Sequence, residues 1–186
     1  MAKKGSAPLQ MVPCDGPLLI AFGANIDPHI HLQQGLQQLH ERLGIVAIST
    51  VYRSEPLGGA PGDPPFLNGA LQLKQAPKPW DLRYLLRQVE AAQGRVRGKN
   101  PNAPRTLDLD IALMGDQVIQ APPLRIPDPD LPQRAFLALP LAQLAPDWVH
   151  PQLGQTLAHI ATTFNPLPLD MTVDADATRR LAQILT

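Results

Sequence analysis

Across residues 106–114, Leu107, Leu109, Ile111 and Leu113 alternate with Asp108 and Asp110. A period of two is the repeat of a β-strand, in which successive side chains point to opposite faces. The run therefore predicts a strand with leucine and isoleucine packed into the core on one face and two carboxylates together on the other. Residues two apart on a strand lie roughly 7 Å apart at Cα, close enough to act on one ligand.

The chain before that strand reads as a regular series of elements. Leu18-Leu19-Ile20-Ala21-Phe22 is a short apolar run that stops at Gly23, consistent with a buried strand. Asp27 as cap and Pro28 in the first turn open a helix, in which Leu32, Leu36, Leu39 and Leu43 recur at helical spacing before Gly44. Val46, Ile48, Thr50 and Tyr52 predict a strand over 45–55, and 66–73 repeats the two-residue period. Trp80, Leu82, Leu85, Leu86 and Val89 form a second amphipathic helix, closed by Gly94. The order strand, helix, strand, strand, helix, strand is that of an α+β, ferredoxin-like βαββαβ sandwich, with helices packed on an antiparallel sheet. Gly115-Asp116 then turns into Val118-Ile119, and C-terminal helices are expected near 133–144 and 155–164.

The 186 residues fit one domain, placed at 17–165 between a flexible N-terminal tail, 1–16, and a C-terminal extension, 166–186. Sixteen basic and sixteen acidic residues cancel, so no overall field draws the chain to nucleic acid or a membrane surface. Aromatic residues make up only 4%, which also speaks against a nucleic-acid-binding sheet. The start lacks the apolar core of a signal peptide, and no apolar run is long enough to span a bilayer. The single cysteine, Cys14, forms no intrachain disulfide and fits a reducing, cytoplasmic setting. Prolines cluster in 58–65, 101–104 and 121–132, predicting long but stiffened loops, where function often sits.

The chemistry concentrates just before and within the carboxylate strand. Two carboxylates side by side raise each other's pKa unless a cation lies between them, and a hard divalent ion with oxygen ligands resolves that conflict. Arg95, Arg97, Lys99 and Arg105 precede the pair, and Arg134 can approach from the later loop. Guanidinium groups grip phosphate oxygens in a two-pronged fork. Carboxylates for a metal beside arginines for phosphate is the composition of a phosphoryl-transfer site, although a solvated basic loop beside an unrelated aspartate pair has the same composition. Other motifs carry less. Gly94-x-x-x-Gly98-Lys99 is one residue short of a P-loop, lacks its Ser/Thr and follows a helix instead of a strand. His29 and His31 diverge at a helix start, and neither His150 nor His159 has a spaced partner.

Gly94-Arg95-Val96-Arg97 followed by Pro104-Arg105-Thr106-Leu107-Asp108-Leu109-Asp110-Ile111 resembles the signature of the 6-hydroxymethyl-7,8-dihydropterin pyrophosphokinase family of folate biosynthesis. Further blocks fall in the same order: Phe22-Gly23-Ala24-Asn25-Ile26, Tyr52-Arg53-Ser54-Glu55-Pro56-Leu57-Gly58, Phe66-Leu67-Asn68 and Arg134-Ala135-Phe136. The resemblance implies transfer of diphosphate from ATP to the pterin hydroxymethyl group with two magnesium ions, and a monomer acting on ATP and a dihydropterin is expected. It implies that Asp108 and Asp110 hold the metal, and that Arg95, Arg105 and Asp110 carry catalysis. Glu90, Arg97, Arg105, Ile111 and Arg134 would contact ATP, with Arg97 also ordering the loop over the nucleotide. For the pterin, Asn68 would read the polar ring edge, Phe136 would stack on a ring face, Phe66 and Leu57 would line the pocket, and Ser54 and Glu55 would offer backbone contacts. Ordinary core packing is the other reading of Phe66, Leu57 and Phe136.

The chain departs from the family pattern in two places. Asn102 stands where some relatives have a tryptophan in the mobile loop, and Asp128 stands in Ile126-Pro127-Asp128-Pro129 where many have histidine. An anion near phosphate needs a partner, so Asp128 is expected to pair with Arg125 or Arg134. A nucleotide-binding regulatory module that keeps the metal site without turnover is the alternative these departures allow.

Overall fold

The structure, a computed structural model, describes residues 9–58, 62–98, 100 and 103–186. Lys99, Asn102 and part of the expected 58–65 and 94–104 loops lie outside the described residues.

The apolar run predicted as a buried strand is β1 (Leu18–Ala24), buried at every position. It lies between β4 (Phe66–Leu73) and β5 (Asp108–Met114), antiparallel to both. A strand covered on both faces has no solvent face to mark with polar residues, hence its unbroken apolar sequence. With β3 (Tyr52–Ser54) and β8 (Met171–Val173), the sheet runs β5-β1-β4-β3-β8, and β2 (Ile45–Ile48) also pairs with β4. The seven elements from Leu18 to Met114 follow the expected βαββαβ order once the two short strands β2 and β3 are counted as one.

One face is sealed by α1 (Pro28–Leu43) and α2 (Pro79–Ala92). Leu32, Leu36, Leu39 and Leu43 of α1 and Leu82, Leu86 and Val89 of α2 meet Ile20, Phe22, Leu109 and Ile111 in one apolar cluster. Gly35 lets α1 come close: a Cβ there would collide with the Leu107 side chain. Asp27 precedes α1 as expected, but its backbone is left-handed (φ 41°) and its side chain makes no capping hydrogen bond. The opposite face carries a second cluster, where α3 (Ala135–Leu144) and α4 (Leu157–Thr162) cover Leu19, Ala70, Ala112 and Leu113.

Two sequence expectations change here. The single strand over 45–55 is two strands, β2 and β3 (Tyr52–Ser54). Between them, Thr50 N–H donates to Gln143 Oε1 (2.7 Å) and Val51 N–H to Thr178 Oγ1 (2.9 Å), so side chains from distant helices replace the ladder. Leu113 does not share a face with Leu109 and Ile111. Leu19 pairs with Leu113 but Ile20 with Ile111, so Ala112 is an extra residue, and beyond that bulge the alternation inverts.

The segments assigned outside the domain both contact it. Lys78 N–H donates to Gln10 O (2.9 Å) and Val12 N–H to Ala76 O (2.8 Å), so the described part of the tail lies against the chain before α2. Residues 166–186 supply β8 (Met171–Val173), paired with β3, and α5 (Ala175–Ala182), whose Ala177 and Leu181 join the α1 cluster. A two-stranded ribbon, β6 (Ile119–Ala121) and β7 (Leu124–Ile126), leads to a short 3-10 turn and α3.

Candidate functional site

Register brings the candidate residues into rows across the sheet. Asp108 pairs with Gly23, which pairs with Asn68, and Asp110 pairs with Ala21, which pairs with Ala70. All six side-chain positions share the face that α3 covers only in part. Two small residues in the middle strand leave room above the sheet, and a Cβ at position 23 would lie 2.8 Å from Asn68 Oδ1. The result is a cavity of about 300 Å³. Its wall includes Asp108, Asp110, Arg105 and Arg134 at the charged end and Ser54, Glu55, Leu57, Phe66, Asn68 and Phe136 at the other.

At the second end, Asn68 Nδ2 donates to Ser54 Oγ (2.9 Å), which orients the amide and turns Oδ1 over Gly23. The Arg105 guanidinium lies 5.4 Å from the Phe66 ring centroid, a cation–π distance that links the two ends. Glu55 N–H donates to Asp170 O (3.3 Å) and Ser54 pairs with Met171, so the C-terminal segment holds this edge of the cavity.

The charged end is a network of alternating signs. Arg105 Nη1 lies 2.5 Å from Asp108 Oδ2, and its backbone N–H donates to Asn25 Oδ1 (2.7 Å). Asn25 also donates to Pro64 O (2.9 Å), so one buried amide fixes the approach of two loops. Glu90 is buried on α2. It accepts from Leu109 N–H (2.9 Å), from Arg97 (2.5 Å) and from Arg87. Arg87 also donates through Nη2 to Asp110 Oδ1 (2.9 Å) and comes within 3.8 Å of Asp108 Oδ1. Burial alone would lower the Arg87 pKa, but the Glu90 hydrogen bond and the charges of Asp110, Glu90 and Asp108 outweigh it and raise it. Desolvation by the surrounding protein, then the charge of Asp108, pushes the Asp110 carboxyl above its ordinary range, with Arg87 opposing. Its side chain is nonetheless 45% exposed, open toward the cavity. Arg95 reaches to 3.9 Å from Asp108, and its Nε is buried with no hydrogen-bond partner among the described residues.

Behind Asp110 a second cavity of about 370 Å³ runs along the outer edge of β5, lined by Ile111, Leu109, Arg83, Arg125 and Asp128 among others. Asp128 does not form the ion pair expected of it. Its Oδ1 accepts from Asp130 N–H (2.8 Å), and Arg134 instead approaches Asp130 (3.9 Å). The Asp128 N–H donates to Ala112 O (2.9 Å), so the carbonyl at the strand bulge fixes this loop beside the pocket. Desolvation raises the Asp128 pKa to about 6, helped by the charges of Asp110 and Asp130 and opposed by the Asp130 hydrogen bond.

The structure thus brings together Asp108, Asp110, Arg95, Arg105, Arg97, Glu90 and, on the far wall, the six residues assigned to the pterin. Glu90 faces its arginines instead of open space. Sequence reading gave no role to Arg87 or Asn25. Arg87 lies three residues before Glu90, one helical turn away on the same face, and that spacing was the available signal.

The donor set fits a hard divalent ion. Two carboxylates share one face, and among the described residues no group of three or more His, Cys, Asp or Glu could hold a metal unaided. Phosphate oxygens and water would complete the shell, as is usual for magnesium. The Arg95 Nε–H, without a partner among the described residues, is a donor suited to one of those oxygens.

Residues 19–146 match the family model of 7,8-dihydro-6-hydroxymethylpterin-pyrophosphokinase (HPPK). The chain is 44% identical over 132 residues to the 2-amino-4-hydroxy-6-hydroxymethyldihydropteridine pyrophosphokinase of Pseudomonas aeruginosa, covering 69% of this chain and 80% of that one. It is 36% identical over 150 residues to the enzyme of that name from Synechocystis, covering 79% and 75%. Among solved structures, Plasmodium falciparum HPPK-DHPS with pterin and p-hydroxybenzoate superposes with a TM-score of 0.68 at 12% identity. That match covers 90% of this chain and 47% of the other, and at such identity it shows the fold alone.

Proposed function

The chain belongs to the HPPK family, and on that premise we propose how its pocket moves a diphosphate group from ATP to 6-hydroxymethyl-7,8-dihydropterin in folate synthesis. The hydroxymethyl oxygen bonds to the β-phosphorus of ATP, and the bond from that phosphorus to the AMP oxygen breaks. Its electron pair stays on AMP, and the hydroxyl proton is released.

We assign the pterin to the cavity end formed by Asn68, Phe66 and Phe136. Asn68, held by Ser54, presents an amide that both accepts and donates to a ring edge. Phe66 and Phe136 offer apolar surface to the ring faces, and Leu57 closes the rim. We assign the nucleotide to the cavity along β5, where Ile111 offers an apolar wall, and its phosphates to Arg95, Arg97, Arg105 and Arg134. Glu90 acts by fixing Arg97 and Arg87, since protein donors already occupy its oxygens. Asp108 and Asp110 would hold two magnesium ions, which supply charge neutralisation for the phosphates when bound. With the site walled by protein on both sides, Arg95 and Arg105 neutralise charge on the transferring group at little cost of reorganisation. We read the chain as a monomer acting in the cytoplasm, where its lone free Cys14 stays reduced. Among the described residues no helix is long and apolar enough to cross a membrane.

The observation that carries this reading is the shared face of Asp108 and Asp110 beside Gly23 and Asn68. No observation favours a module without turnover, and Arg105 at the cavity wall and Arg95 within 3.9 Å of Asp108 support the reading as an enzyme. The test is AMP formation from Mg-ATP with and without the pterin. AMP appearing only with the pterin is the expected result. Tight Mg-ATP binding without AMP would overturn it.

A further inference from the structure

We infer that Arg87 is a resident counter-cation for Asp110 that makes metal loading of the carboxylate pair depend on bound nucleotide. The inference rests on the reading of Asp108 and Asp110 as metal ligands.

Arg87 projects from α2 toward β5 and is anchored at one end. Its Nη1 pairs with Glu90, which is buried and also held by Leu109 N–H and Arg97, so Glu90 is a fixed tether. Its Nη2 is 2.9 Å from Asp110 Oδ1, the oxygen-bearing group open to the cavity, and Nη1 is 3.8 Å from Asp108 Oδ1. Arg87 thus reaches both carboxylates of the pair, while Arg105 takes the other oxygen of Asp108. A guanidinium and a divalent ion cannot both sit against Asp110 Oδ1 without strong repulsion, because the intervening space is small and partly desolvated.

Arg87 also borders a groove of about 480 Å³ together with Arg83, Arg95 and Arg97. Two of these guanidinium groups are held below their ordinary range: Arg83 by desolvation and then by the charge of Arg87, and Arg95 by desolvation and by Arg105 and Arg97, with Asp110 and Glu90 opposing at Arg83 and Asp108 and Glu90 opposing at Arg95. A polyphosphate entering there gives the released Nη2–H an anionic acceptor while Nη1 stays on Glu90. The rotation moves one end of the guanidinium and leaves the tether intact. Metal arriving alone must displace Arg87 with no acceptor for it, whereas metal arriving with nucleotide brings that acceptor. By linkage, Arg87 strengthens the coupling between the two ligands. A residue that only tied α2 to β5 would change stability and leave this coupling alone.

The experiment measures Mn²⁺ affinity by electron paramagnetic resonance, with and without a non-hydrolysable ATP analogue, in the full chain. Arg87→Gln, which keeps helix propensity and removes the charge, should bind Mn²⁺ alone about tenfold more tightly than wild type, and the gain from nucleotide should shrink by a similar factor. Arg87→Lys, which keeps a cation near Asp110, should stay within roughly threefold of wild type. Arg87→Met is a second charge-free variant should Arg87→Gln be unstable. Unchanged or weaker Mn²⁺ binding in the charge-free variants, with unchanged coupling, would overturn the proposal. Asp110→Asn separates the two failures: if it leaves Mn²⁺ binding intact, the metal assignment falls and the role of Arg87 falls with it.

Discussion

The two faces of the sheet are built from the same strands and behave as different materials. Toward α1 and α2, Ile20, Phe22, Leu109 and Ile111 meet leucines in a continuous apolar layer. Toward α3, the same strands present Leu19, Ala112 and Leu113 under the helix at one end, then Ala21, Gly23, Asn68, Asp108 and Asp110 around an open cavity at the other. One step along β5 moves a side chain from full burial at Leu109 to the cavity at Asp110. The contrast teaches that stability and chemistry can be carried by neighbouring residues and still be separable, because the strand sends them to opposite sides.

The strongest way to break that contrast is a pair of neighbouring substitutions. Asp110→Ala should remove nearly all turnover, by more than about 10³-fold, while thermal unfolding stays cooperative and close to wild type. Leu109→Ala should do the reverse, losing about 2–5 kcal/mol of stability, read by denaturant melts, with turnover retained in the folded fraction. An unfolded Asp110→Ala protein would mean that the aspartate belongs to the fold.

Arginines at the cavity sharpen the comparison. Arg95→Ala should reduce kcat by roughly 10³-fold, on the scale of other charge-stabilising arginines in phosphoryl transfer. An unchanged kcat would place its buried Nε among structural groups. Asn68→Ala, at the opposite end, should raise the KM for pterin about tenfold or more and leave nucleotide affinity unchanged, because the amide it removes bonds Ser54 and faces the pterin end, away from the groups assigned to the nucleotide.

The smallest effect concerns Asp128. Its pKa is raised from 3.8 to about 6, so the folded chain binds the proton more tightly than the unfolded one. Its stabilising contribution is present below the unfolded value and is lost as pH rises through about 6, leaving an unfavourable charge at neutral pH. Asp128→Asn should therefore be more stable than wild type at pH 7, by about 1 kcal/mol after allowing for its partial exposure, and the difference should vanish toward pH 4. Melts that differ equally at both pH values would contradict the assignment.

Much of this was legible in the sequence because it is local. The alternation over 106–114 gave the faces of Asp108 and Leu109, and the leucine spacing gave α1. What was hidden depends on distant partners. Gln143 and Thr178 take the backbone donors of residues 50 and 51, where the pairing with β4 passes from β2 to β3, and nothing near 49–51 announces them. The bulge at Ala112 inverts Leu113 through register with β1, which a strand pattern alone does not contain. Arg134 was legible as a cavity residue, but its approach to Asp130 instead of Asp128 depends on how the loop hangs from Ala112 O. The pterin end was legible only through family motifs, because Phe66 and Phe136 have the composition of ordinary core residues.

The measurement that tests the central claim most directly is the number of Mn²⁺ ions bound per chain in the presence of a non-hydrolysable ATP analogue, in wild type and Asp110→Ala. The account predicts two ions in wild type and fewer in the variant, with both proteins equally folded. A full complement of ions in folded Asp110→Ala would contradict it, since the polar face of β5 would then not be the metal-binding face.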